Sequence, residues 1–89
     1  MIYKKHIEYH FEVDEEIWAV TGFNETSISF EETRKNGQED THLYGEAMLK
    51  DGKWVLDHHT KCMLNEYWGH RTITNIEAFF NEHGPPTDE

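Results

Sequence analysis

Cysteine, proline and glycine are scarce in this chain of 89 residues. Cys62 is its one cysteine, so no disulfide can form within the chain, and a reducing, cytoplasmic location fits this composition best. Two prolines and six glycines leave no stretch with the composition of a linker. We therefore expect one domain over residues 1–84 and a frayed acidic tail over residues 85–89.

Long apolar runs and catalytic signatures are also missing. No run approaches the ~20 apolar residues that a membrane-spanning helix needs. The first residues, MIYKKHIEYHF, lack the apolar core of a secretory signal peptide. The sequence contains no phosphate-binding loop, dinucleotide fingerprint, nucleophile elbow or metalloprotease helix. We therefore expect a protein that is not an enzyme and does not bind membranes.

Basic residues are few, because 8 lysines and arginines stand against 18 aspartates and glutamates, for a formal net charge of -10. Such a field repels phosphate backbones, so we expect no direct nucleic-acid binding. It attracts a basic protein, and a non-enzymatic binding or regulatory protein is our first functional expectation. In size and acidity the chain is similar to inhibitors that mimic nucleic acid and to immunity proteins for nuclease toxins. A surface that merely keeps the protein in solution accounts for the same charge.

Alternation of apolar and polar residues is what the sequence has in abundance. Ile2–Val13 alternates along its whole length, Ile17–Phe23 is rich in strand-forming residues, and Thr26–Lys35 alternates again. Asn36-Gly37 and Asp51-Gly52 are dipeptides typical of two-residue hairpin turns. The segments on either side of each turn are therefore predicted to pair as antiparallel neighbours.

Counting outward from the two turns predicts which side chains share a face of the sheet. The first turn pairs Phe30 with Leu43, and the second turn pairs Leu49 with Trp54. Both turns agree on one apolar face, which comprises Ile28, Phe30, Leu43, Ala47, Leu49, Trp54 and Leu56. The last strand is predicted to continue beyond Thr60, with Cys62 and Leu64 pointing inward.

One helix is predicted near the end of the chain. Thr74-Asn75-Ile76-Glu77 has the sequence of a capping box, and Gly84 before two prolines is a typical helix end. Phe79 and Phe80 give this helix an apolar side. We therefore predict an α+β fold, a five-stranded antiparallel meander with this helix packed on its apolar face. The alternative is the same sheet curled into a partly open barrel.

The polar face of the predicted sheet is the expected binding surface. It comprises Glu31, His42, Tyr44, Glu46, Asp57 and His59. Its carboxylates suit a basic partner, and imidazoles beside carboxylates could instead hold a divalent metal ion. The candidate metal ligands are His6, Glu8, His10, His42 and His59. Their spacing matches no structural zinc site, and a solvated polar face explains them equally well, so we expect no cofactor.

His58 is predicted on the apolar side, opposite Gly45, whose missing side chain would leave space beside Ile28. A small-ligand pocket at Gly45 and His58, or metal binding on the polar face, is the alternative function. A buried histidine with a hydrogen-bond partner explains the same pattern. The long first strand could also pair with a second copy, which would give a homodimer through the sheet edge.

Overall fold

The structure is a computed structural model that describes residues 3–5, 8–33 and 43–86. Within these ranges the strands are β1 (Tyr3–Lys5), β2 (Glu8–Val13), β3 (Glu16–Phe23), β4 (Ser27–Glu32), β5 (Tyr44–Lys50) and β6 (Lys53–Leu56). Two helices follow, α1 (His58–Tyr67) and α2 (His70–His83). No helix in the described ranges is long and apolar enough to cross a membrane.

The strands form one antiparallel sheet in chain order, β1 to β6, and the sheet is curled into a half-barrel. The predicted α+β class and antiparallel meander are confirmed, and the five predicted strands correspond to β2–β6. The predicted first strand, Ile2–Val13, is wrong in one respect, because it folds back on itself. Tyr3 pairs with His10 and Lys5 pairs with Glu8, which adds the short β1 as a sixth strand.

The β5–β6 hairpin has the predicted turn and register. Asp51 and Gly52 both have positive φ, 52° and 80°, as a type I′ turn requires. Leu49 pairs with Trp54, and the ladder continues to Leu56. The β2–β3 connection is a second turn of this kind, but its central residues, Asp14 and Glu15, are not glycines. The segment between the predicted strands Ile2–Val13 and Ile17–Phe23 therefore contains a tight turn.

The predicted register between β4 and β5 is wrong by two residues. Phe30 pairs with Gly45 and not with Leu43, and Ile28 pairs with Ala47 and not with Gly45. The Asn36-Gly37 turn from which the prediction counted lies outside the described residues. A shift of two residues leaves every side chain on its predicted face. The predicted apolar residues are accordingly buried, except Leu49, which is 36% exposed.

A β-bulge in β3 determines how that strand faces the core. The register shifts between Val20 and Gly22, so that Val20 pairs with Phe30 while Phe23 pairs with Ile28. The extra residue lets Val20 and Phe23, three positions apart, face the same side of the sheet. This irregularity explains why β3 shows no clean alternation in the sequence.

The segment after β6 is helical, so the predicted continuation of the strand is wrong. Asp57 is the N-cap of α1, and its carboxylate accepts a hydrogen bond of 2.8 Å from the Thr60 amide. Leu64 is buried as predicted, but Cys62 is exposed. A strand would have put both on one face, whereas a helix separates residues two positions apart.

The second helix ends where predicted but begins one turn earlier. Gly69 precedes its first residue, and Gly84, with a φ of 71°, follows its last. Thr74 lies inside the helix and donates to the His70 carbonyl at 3.3 Å, so the predicted capping box is wrong. The structure thus has two helices where one was predicted.

The core lies between the concave side of the sheet, here called the inner face, and α2. Phe11 is at its centre, with its ring centroid 5.1 Å from those of Phe79 and Phe80 and 5.8 Å from that of Phe30. Trp18, fully buried, lies 5.7 Å from Phe30. The helix predicted to pack through Phe79 and Phe80 does so.

Polar contacts fix α2 at both ends of the sheet. The Asp14 carboxylate, in the β2–β3 turn, accepts from Thr72 Oγ1 and from Asn75 Nδ2, both at 2.8 Å. At the other end, the Asn81 amide accepts from Trp54 N–H at 2.7 Å and donates to Trp54 C=O at 3.1 Å. One turn earlier, Glu77 accepts from the Leu56 amide at 3.0 Å. Side chains of α2 therefore occupy the edge of β6 that a further strand would use.

Candidate functional site

The outer, convex face of the sheet carries the first candidate site. We call it the acidic face, and its members are Glu12, Ile17, Glu31, Tyr44 and Glu46. Glu12 is paired with Ile17 across β2 and β3, and Glu31 with Tyr44 across β4 and β5. Glu46 is two residues beyond Tyr44 on β5, which corresponds to a diagonal separation of about 7–8 Å from Glu31.

Two large side chains are exposed between these carboxylates. Tyr44 is 62% exposed and Ile17 is 42% exposed. Ser29 Oγ lies 3.4 Å from Glu46 Oε2 and donates a long hydrogen bond to it. The acidic face therefore presents apolar and aromatic surface together with carboxylates, rather than charge alone.

Among the described side chains on the outer face, β2, β3, β4 and the first five residues of β5 contribute no lysine or arginine. Lys50 and Lys53 pair with one another at the tip of the β5–β6 hairpin. The negative potential of the acidic face is therefore not neutralised locally by described cationic side chains.

Of the six predicted binding residues, the sheet brings together Glu31, Tyr44 and Glu46. Asp57 and His59 belong to the start of α1, so they do not extend the sheet surface as predicted. The Asp57 carboxylate caps that helix, and the His59 side chain is exposed on its first turn. His42 lies outside the described residues.

The predicted metal ligands are not assembled in the described structure. His10 is on β2 with its side chain buried, whereas His59 is exposed on α1. His6, His42 and the Glu8 side chain fall outside the part of the chain that is described. Among the side chains that are described, no three His, Cys, Asp or Glu residues are grouped so that they could hold a metal ion.

The predicted pocket between Gly45 and His58 is wrong, because the structure has no open space beside Gly45. The space beside Gly45 is filled by Thr60, and a Cβ added at Gly45 would lie 2.8 Å from Thr60 Oγ1. That oxygen accepts a hydrogen bond of 2.9 Å from the Glu46 amide, which ties α1 to β5. His58 is exposed on α1, because the helix turns it away from the sheet.

A cleft of about 390 Å³ lies between α1 and α2. Cys62 Sγ and His58 Nε2 are 3.6 Å apart, one helical turn from each other. Lys61 and Glu77 form an ion pair of 3.7 Å across the two helices. The cleft is lined by His58, Lys61, Cys62, Asn65, His70, Ile73, Thr74 and Glu77. The signal that could have revealed it is Asp57-x-x-Thr60, a helix start.

A groove of about 380 Å³ lies at the β3 bulge. Tyr9 and Phe23 line it, with their ring centroids 5.5 Å apart in an edge-to-face arrangement, and Phe23 is 39% exposed. Gly22, at the bulge, has open space around the position of a Cβ. Glu31 is also among the residues that line the groove.

No protein-family model matches the chain, and neither the curated proteins nor the solved structures include a significant match.

Proposed function

We propose that this protein is a small, non-enzymatic binding or regulatory protein that engages a basic protein through its acidic face. The observation that carries the proposal is the composition of that face: carboxylates surround two exposed anchors, Tyr44 and Ile17. Tyrosine is enriched at the centres of protein interfaces, where an aromatic body is desolvated while the hydroxyl keeps a polar partner.

Charge supports the same conclusion at longer range. The net charge of -10 attracts a cationic surface, and the carboxylates of the acidic face orient it as it approaches. Attraction of this kind raises the association rate and weakens as salt screens it over a Debye length of about 8 Å at physiological ionic strength. The complex is therefore expected to form faster at low salt.

The test compares two variants with the same net charge. Glu12→Gln combined with Glu46→Gln removes two carboxylates from the acidic face, and Glu66→Gln combined with Glu82→Gln removes two from the helices. Partners are captured from native lysate by the wild type, purified, and titrated against each variant by calorimetry. Two interface carboxylates at about 0.5–1 kcal/mol each predict a loss of roughly 5- to 30-fold for the first variant. The second should stay within about twofold.

Capture of a basic protein does not by itself support the proposal. Equal losses in the two variants would mean that net charge attracts the partner without a specific surface. Absence of any captured protein whose binding depends on Glu12 and Glu46 would overturn it. Tyr44→Ala adds a readout that charge cannot produce, with an expected loss of about tenfold at high salt as well as low.

A second candidate function is binding of a small ligand in the cleft between α1 and α2. The observation that favours it is the presence in the cleft of an exposed thiol and an imidazole, Cys62 and His58, together with Ile73. Fragment screening by amide NMR tests it. Genuine ligands should shift the resonances of Cys62 and Ile73, and alkylation of Cys62 with N-ethylmaleimide should prevent their binding. Ligands that still bind the alkylated protein would contradict this function.

The proposal includes a cytoplasmic location. The support is the exposed thiol of Cys62, which an oxidising compartment would convert to mixed or intermolecular disulfides. Fractionation of cells that express a tagged full-length chain, followed by thiol labelling, measures both location and redox state. Recovery of Cys62 mainly in disulfides would contradict a reducing location.

A further inference from the structure

The cleft between α1 and α2 is built with the same residue spacing on both helices. Residues 58, 61, 62 and 65 line it from α1, and residues 70, 73, 74 and 77 line it from α2. Each set follows the i, i+3, i+4, i+7 spacing of one helix face, so one face of each helix borders the cleft. The volume of about 390 Å³ lies within the range of small-molecule sites.

A nucleophile and a proton acceptor line this cleft together. Cys62 Sγ and His58 Nε2 are 3.6 Å apart, and Cys62 is exposed. A neutral imidazole in contact with a thiol can accept its proton, and the thiolate that remains is the reactive form of cysteine. Because Cys62 and His58 are four residues apart on α1, the helix itself holds them side by side. The cleft then determines which molecules can reach the sulfur.

The charged groups of the cleft differ from those of the acidic face. Three of its side chains, those of His58, Lys61 and His70, can carry positive charge, and Glu77 contributes its one carboxylate. That carboxylate already pairs with Lys61 at 3.7 Å and accepts from the Leu56 amide at 3.0 Å. The Lys61 side chain is 45% exposed and its ammonium has three donors, so it can bind an incoming carboxylate as well. The cleft therefore favours an anionic reactant.

We propose that Cys62 forms a mixed disulfide with a low-molecular-weight thiol that bears carboxylates, by exchange with the disulfide form of that thiol. This inference rests on the second candidate function, ligand binding in the cleft, and names the class of ligand. The Cys62 thiolate attacks one sulfur of the disulfide, and a new S–S bond forms as the old one breaks. Cys62 is thereby oxidised and the departing half is reduced, and its thiolate takes up the proton that His58 accepted. The modification is reversible and depends on the redox state of the compartment.

The experiment measures the reaction rates of the full chain with two disulfides. Glutathione disulfide is the anionic probe, and hydroxyethyl disulfide is the uncharged one. Mass spectrometry follows the mixed disulfide at Cys62, the one cysteine of the chain, and N-acetylcysteine amide is the free-thiol reference. The protein should prefer glutathione disulfide, with a ratio of the two rates at least about fivefold above that of the reference. The same ratio for the protein and the reference would overturn the inference.

Two pairs of variants test the roles of His58 and Lys61. His58→Gln should slow the reaction with both disulfides at least about fivefold, whereas His59→Gln, next to it but outside the cleft, should stay within about twofold. Lys61→Gln should slow only the reaction with glutathione disulfide, by about threefold, whereas Lys53→Gln removes the same charge at the hairpin tip without effect. All four side chains are exposed, so the variants should fold. Equal rates within either pair would contradict the role assigned to that residue and overturn the inference.

The same measurements separate this inference from the function on which it rests. If fragments bind the cleft but the protein shows no preference for glutathione disulfide, the cleft binds ligands of another class and the inference alone fails. If glutathione disulfide is preferred and no fragment binds, the cleft acts only as a site of modification and the second candidate function fails. Neither result depends on Glu12 or Glu46, so binding of a partner at the acidic face is tested independently.

Discussion

The inner and outer faces of the sheet differ in how far their side chains are buried, although residues of the two faces alternate along the same strands. On the inner face, Phe11, Trp18 and Phe30 are buried and in mutual contact, and Phe80 of α2 packs against Phe11 and Phe30. On the outer face, Tyr44 and Ile17 are exposed, and their removal would leave no cavity. The core and the proposed binding surface therefore lie on opposite sides of one sheet, so mutations can separate their effects on stability and on binding.

The largest effect is expected for Phe80→Ala. Phe80 is fully buried and its ring lies 5.1 Å from that of Phe11 and 5.6 Å from that of Phe30. Truncation removes the transfer energy of the ring and leaves a cavity, at a cost of about 3–5 kcal/mol. In an 89-residue domain such a loss takes up much of the total free energy of unfolding. Urea denaturation of both proteins measures it, and a loss below about 1 kcal/mol would contradict the described core.

Gly45→Val should destabilise the protein by about 1–3 kcal/mol, because the new side chain overlaps Thr60 and displaces α1 from β5. The matched control is Gly22→Val, since open space surrounds that position and valine favours strands. The two substitutions thus have the same chemistry and opposite surroundings. Equal midpoints of thermal unfolding would show that Thr60 does not fill the space beside Gly45.

Asp57→Ala should cost about 1 kcal/mol, because it removes the N-cap of α1. Asp57 belonged to the predicted binding face, so this substitution tests whether its carboxylate acts in stability or in recognition. Asp57→Asn is the control, because asparagine is an equally good cap without the charge. Restored stability in the asparagine variant supports the capping role, and a loss of the same size in both variants would refute it.

The smallest effect on stability is expected for Tyr44→Ala, within about 0.5 kcal/mol, because the side chain is 62% exposed. The same variant is expected to weaken partner binding, so it separates the two faces most sharply. Chemical denaturation and circular dichroism provide the measurement. A loss above about 2 kcal/mol would mean that Tyr44 belongs to the core after all.

The parts of the fold that could be predicted are those in which local and tertiary signals agree. Asp51-Gly52 determined both turn and register, because the turn geometry and the apolar alternation of β5 and β6 require the same pairing. For β4 and β5, the sequence predicts which side chains share a face of the sheet but not which residues pair. A face is preserved under a shift of two residues, and nothing in the alternation distinguishes one such register from the next.

The strand predicted after Leu56 is wrong because the apolar residues of this segment fit both the period of a strand and the period of a helix. Cys62 and Leu64 alternate like a strand, while Thr60 and Leu64 are one helical turn apart, and both of these are buried. The helix forms because Asp57 caps its N-terminus. This capping signal is separate from composition and from alternation. The predicted first strand is too long because its alternation continues through Ile2–Val13, and alternation alone does not show that Lys5 pairs with Glu8.

The candidate sites were predictable to different degrees. Glu31, Tyr44 and Glu46 came from alternation, which a shifted register preserves. The groove depends on a bulge at Thr21, and the broken alternation of β3 does not by itself show where the extra residue is inserted. The cleft between the helices requires α1, and the sequence pattern predicts a strand in its place.

The contact of Asn81 and Glu77 with β6 limits how copies of this chain could polymerise. These side chains bind the main chain of Trp54 and Leu56, so a strand from another molecule would have to displace α2 before it could add there. Open-ended growth of a sheet requires two receptive edges, and among the described strands β1 is the other edge. Pairing of β1 with β1 of a second copy would use that edge in both molecules. Such an assembly closes at a dimer. The position of α2 on the edge of β6 therefore favours a closed dimer over an open-ended fibre.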